Sequence, residues 1–189
     1  MENTGVKRFS SDSSSHSSDL RRDKSLFSGN EVGFLAETQI ATPTGNRAIA
    51  ELRVGDVILG GAGDDDLMPH PVVWVGRRIV RPTPGAPVPV RILRDAFADG
   101  VPSADLVVLP DLGFHLNGVL IPVRMLVNHR SIVLEERTAE FEVFHVETAR
   151  HVLISANGAR SETYRDCGER SLFRPAPHLH LVPKPPVTM

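Results

Sequence analysis

Cys167 in "YRDCGER", with His145 and His151 upstream of it, offers the side-chain types needed for nucleophilic hydrolysis. A thiolate attacks a carbonyl and an imidazole can take its proton, provided the two groups meet in space. Spacing along the chain does not establish that meeting, and His145 in "EVFHVE" reads instead as a hydrogen-bonded core histidine. His178 and His180 would point the same way on a strand, as two metal ligands must. No further Cys, His or Asp cluster completes a tetrahedral set around them. The acidic "GAGDDD" at 61–66 lacks the alternating ligands and closing glutamate of a calcium loop, so it reads as a solvated connection. No metal and no cofactor are expected.

Composition narrows the function classes. The chain has 189 residues, 41% of them apolar and 23% charged, and a formal net charge of -2. These are the proportions of one globular domain with tails, long enough to bury a core without disulfides. No Lys/Arg stripe offers a footprint for nucleic acid, and pairs such as Arg77-Arg78 read as solvated positions. No apolar run approaches the roughly 18 residues of a membrane helix. The opening "MENTGVKRFSSDSSSHSSDL" has no apolar h-region, and the single cysteine, Cys167, forms no internal disulfide framework. A cytoplasmic location is the default expectation, with an unknown protein as partner and neither nucleic acid nor membrane.

The elements that must position these groups are short strands. Residues 1–30 hold nine serines, many charges and few apolar groups, and are expected to be a disordered arm. Residues 174–189 form a proline-rich tail, and the foldable part spans 33–173. "TQIAT" leads into the turn "PTGN", and "ELRVGDVIL" places Gly55-Asp56 ahead of an apolar run. "PVVWVGRRIV" is rich in valine, and Asn117-Gly118 in "HLNGVLI" is a strong hairpin signal. "SIVLEE", "EFEVFHVE" and "HVLISANG" follow at intervals of about ten residues, the rhythm of an all-β domain. Only "DAFADG" and "PVRMLVN" look helical.

Three blocks in order are similar to the Hint domain shared by hedgehog autoprocessing domains and inteins. They are "GFLAETQIATPTGNRAIAELRVGDVIL", "DLVVLPDLGFHLNGVLIPVRMLVN" and "EFEVFHVETARHVLISANGARSETY". The resemblance is closest to the bacterial group whose members begin with a Cys-Phe-Leu-Ala-Gly-Thr run, and it covers about 33–170. It implies a horseshoe of curved antiparallel hairpins. It also implies a first-residue cysteine or serine that attacks the preceding carbonyl, converting an amide to a thioester or ester. A threonine and a histidine of the second block assist, the histidine as a general acid.

Carried onto this chain, the pattern fails at its reactive positions. Gly33 stands where the nucleophile belongs, Leu109 where the hydroxyl belongs and Leu112 where the histidine belongs. Pro110 and Asp111 remain, and His151 matches the histidine of the last block. The closing His-Asn pair of splicing inteins is absent from "ARSET". His115, Ser28 and Cys167 each need an extra assumption to replace the missing groups. The resemblance therefore implies a degenerate Hint domain that binds or regulates, docking a partner in an apolar cleft at the old junction. The alternatives are residual cleavage at Val32–Gly33 by acyl shift, or a generic β domain using Cys167 with His145 or His151.

Overall fold

The computed structural model describes residues 31–63, 67–166 and 170–175. Its strands are β1 (Phe34–Leu35), β2 (Gln39–Thr42), β3 (Gly45–Ala48), β4 (Val57–Gly61) and β5 (Met68–Val80). They continue as β6 (Val90–Ile92), β7 (Leu106–Val108), β8 (Gly113–Leu116), β9 (Val119–Pro122) and β10 (Ile132–Leu134). The last are β11 (Phe141–Thr148), β12 (Leu153–Ala156), β13 (Ala159–Glu162) and β14 (Arg174–Pro175). The strands form one curled, antiparallel, fourteen-stranded sheet, with no α-helix among the described residues.

The middle of the strand order is β1-β11-β5-β4-β12. The long strand β5 joins the two halves, because Met68–Pro71 pair with β4 while Val72–Val80 pair with β11. The register of β5 on β11 shifts between Glu147 and Thr148, leaving Val73 as the extra residue of a β-bulge. Two apolar clusters result. The larger includes Phe34, Ile58, Leu112, Phe114 and Val146; the smaller includes Leu35, Trp74, Leu109, Tyr164 and Phe173. Trp74 folds back over its own strand, and a Cβ on Gly76 would sit 2.0 Å from the indole. Only glycine leaves room for that ring.

The Asn117-Gly118 hairpin forms as the residue types require. Both residues have positive φ, 50° and 83°, and β8 pairs with β9 up to Leu116↔Val119. The two helical expectations are overturned or reduced. "DAFADG" is a run of turns: Asp95 has φ 61°, its Oδ1 accepts the Gly100 N–H at 2.7 Å, and Ala98 bridges Val101. "PVRMLVN" yields only the 3-10 turn Val123–Leu126. Its first two N–H groups donate outward, to the Leu112 and Pro110 carbonyls, rather than waiting for a cap.

Asn157 does more than turn the β12–β13 hairpin. It is buried, with φ 47°, and its Oδ1 accepts the Gln39 N–H at 2.8 Å while its Nδ2 donates to the Asp105 carbonyl at 3.0 Å. Its own carbonyl accepts Ser103 N–H at 2.7 Å. Asn157→Ala is expected to lose roughly 2–4 kcal/mol, from the part-buried Gln39 N–H and Asp105 carbonyl left unpaired plus left-handed strain. The midpoint of urea unfolding checks this, and a change below about 0.5 kcal/mol refutes it.

Candidate functional site

Gly33 is buried with φ +144°, a conformation that side chains of L residues rarely adopt. A Cβ there would lie 3.3 Å from both the Phe144 carbonyl oxygen and Val143 Cβ. Its carbonyl accepts the Leu109 N–H at 2.9 Å, one step beyond the Phe34↔Val108 pair. The ladder then continues upstream of the domain. Asp111 N–H donates to the Glu31 carbonyl at 2.9 Å, and Glu31 N–H donates to Asp111 Oδ2 at 2.7 Å. Between them Val32 is half-buried and packs against both apolar clusters.

The two leucines of "LPDLGF" are wholly buried, and in different clusters. Leu109 belongs with Leu35, Val143 and Tyr164, whereas Leu112 belongs with Phe34, Phe114 and Val123. Between them Pro110 gives its carbonyl to Arg124 N–H at 2.9 Å. The Asp111 carboxylate pairs with the Arg124 guanidinium, and the Glu31 carboxylate with Arg78.

His145 lies on β11, 1% exposed, with Phe34 and Tyr164 edge-on, each at a centroid distance of 5.4 Å. Val146 N–H donates to its Nδ1 at 3.1 Å, so the proton of the neutral ring sits on Nε2. Burial lowers its pKa to about 4, the Glu162 carboxylate only partly opposing that effect. His151 is exposed and its Nε2 lies 3.0 Å from Glu162 Oε2. Glu162 Oε1 accepts the Gly113 N–H at 3.0 Å. Burial pushes the Glu162 carboxyl up, but its hydrogen bond and attraction to His151, with the Gly113 N–H, hold it below the usual value.

The structure thus brings His151 to Gly113, at the start of β8, through Glu162, and sets His145 against Phe34, next to Gly33. His115 stands on β8, across from Leu120. Cys167, Ser28, His178, His180 and Asp64–Asp66 lie outside the described residues. Among the described residues no group of three or more His, Cys, Asp or Glu side chains could hold a metal ion. Sequence reasoning missed Glu162, Glu31, Arg78 and Arg124. None carried a signal: Ser161 and Thr163 are buried and turn Glu162 to the other face, toward His151, but both are polar and mark no alternation in "RSETY".

His145 predicts a pH dependence. Its folded pKa lies below the ordinary value near 6.5, so the unfolded chain binds the extra proton first. The stability it contributes is complete above about pH 6.5 and is lost as pH falls toward 4, at up to about 1.4 kcal/mol per pH unit. Glu162 adds a further loss only below about pH 4.5, where its unfolded carboxyl protonates. Urea midpoints from pH 7 to 5 check this, with His145→Gln expected to flatten the slope. An unchanged slope in that variant refutes it.

The family model described as "Hint domain" matches residues 32–168. Among solved structures, the bacterial intein-like domain from Clostridium thermocellum aligns at 15% identity and a TM-score of 0.51, covering 70% of this chain and 98% of that one. The MchDnaB-1 intein aligns at 19% identity and 0.45, covering 68% and 98%. The gp41-1 intein aligns at 16% identity and 0.48, covering 71% and 98%. No curated protein sequence matches the chain. The matched span takes in strands β1 to β13, Gly33 and the His151–Glu162 pair, and the chain belongs to the Hint domain family.

Proposed function

We propose that this Hint domain has lost self-cleavage and splicing and serves as a non-catalytic binding or regulatory module. The observation that carries the reading is the filling of the reactive positions. Leu109 and Leu112, in place of a hydroxyl and an imidazole, are both 0% exposed and packed into the two cores. Gly33 supplies no nucleophile. One general acid or base contributes about 100- to 10,000-fold to such a reaction, so loss of all three groups leaves no acyl shift above background. His145 and His151 keep structural work in this reading, one inside the core and one paired with Glu162.

We place the partner's docking site away from Gly33, where Leu109 and Leu112 are wholly buried and Val32 packs against both clusters. Exposed apolar side chains lie instead around β9, an end strand of the sheet: Val119, Leu120 and Met125. An edge strand flanked by apolar side chains suits a partner that adds an extended segment.

The intact mass of the full chain, before and after overnight incubation with dithiothreitol or hydroxylamine, tests the loss of cleavage. An unchanged mass is expected. Release of the first thirty-two residues would show that acyl shift at Val32–Gly33 persists and would overturn the reading. Gly33→Cys alone is also expected to leave the mass unchanged under the same treatment. It should lower stability by about 1–3 kcal/mol in urea unfolding, through the positive φ and the crowding by Val143 and Phe144.

A further inference from the structure

We propose that Arg78, Asp111 and Arg124 form a clamp for the chain ahead of the domain. The clamp accepts an extended peptide with a carboxylate two residues before Gly33, and here it is filled by Glu31 and Val32. The inference stands apart from whether the domain cleaves itself.

The backbone of the peptide is read at three points. Leu109 N–H and Asp111 N–H donate to the carbonyls of Gly33 and Glu31, both at 2.9 Å, and the Asp111 carboxylate takes the Glu31 N–H at 2.7 Å. Leu109 and Asp111 turn their N–H groups to this edge, and the intervening Pro110, which has no N–H, faces away from it. Its carbonyl, on the other edge, accepts Arg124 N–H. The retained Pro110 and Asp111 therefore have a role that needs no reaction at Gly33.

The side chains are read by charge and shape. Arg78 on β5 pairs with the Glu31 carboxylate, and its guanidinium carbon lies 5.7 Å from the centre of the Phe173 ring. The Arg78 side chain is only 12% exposed, so losing its carboxylate would strand a mostly desolvated cation. Asp111, equally enclosed, pairs with Arg124 through Oδ1 and accepts the Glu31 N–H through Oδ2. Val32 enters the seam between the two apolar clusters. The selected sequence is thus acidic, then apolar, then glycine.

Hydrogen–deuterium exchange on the full chain tests the clamp. Glu31→Gln removes the charge at nearly constant volume. The Glu31, Leu109 and Asp111 amides should then exchange about tenfold faster or more, the scale of a hydrogen bond to a charged group. Exchange in the β12–β13 hairpin should stay unchanged. Glu31→Arg and Arg78→Glu should each open the segment, and combining them should slow exchange again relative to either single variant. Wild-type exchange at all three amides in Glu31→Gln would overturn the proposal, as would a reversed pair that exchanges no slower than the single variants. Should a charge-reversed variant fail to fold, Glu31→Gln decides alone.

Discussion

The pairing of β5 with β11 holds the two halves of the sheet in one register, and both apolar clusters grow from its two faces. Along β11, Phe141 and Val143 enter the smaller cluster, while Phe144 and Val146 enter the larger. Along β5, the bulged residue Val73 shifts the alternation, so Val72 and Val75 share the larger cluster while Trp74 faces the smaller. A slip of one residue in such a ladder would exchange the two sets of side chains. The indole of Trp74 opposes that slip, because it can lie only over Gly76. Tyr164 and Phe173 then close on the same indole, at 4.7 and 5.7 Å between ring centres.

The chain around Gly33 inherits its geometry from that arrangement. β1 is only two residues long and lies between β7 and β11, with Phe34 facing one cluster and Leu35 the other. The chain must therefore pass through the narrow seam between the cores just ahead of Phe34. There the backbone turns through a positive φ at Gly33 and Val32 touches both clusters. Several polar groups near the seam are paired: His145 by a backbone N–H, Glu162 by His151 and Gly113, Glu31 by Arg78 and Asp111. Most buried polar groups in folded proteins are paired in this way.

The resemblance implies that Gly33, Leu109 and Leu112 stand at the family's reactive positions; the structure shows what each residue does in this fold. Leucine at 109 and 112 is core packing, split between two clusters that no local pattern distinguishes. Glycine at 33 meets a backbone requirement as well as lacking a nucleophile. Asn157 shows the opposite case. Its turn was legible from "ANG", but its links to Gln39, Ser103 and Asp105 were not.

By itself the sequence determined the all-β class, the Asn117-Gly118 hairpin and the order of the strands along the chain. Those features rest on alternation, turn residues and residue identity, which act over a few neighbours. The two short helical readings failed because Asp95 and the carbonyls of Pro110 and Leu112 redirect the local N–H groups. Tertiary structure alone decided that Glu31 meets Asp111 and Arg78, 80 and 47 residues away, and that Glu162 meets Gly113 across 49. The chain has many acids and bases of equivalent type, and nothing local ranks their pairings. Sheet order and register bring particular ones together, and burial then makes those pairings strong.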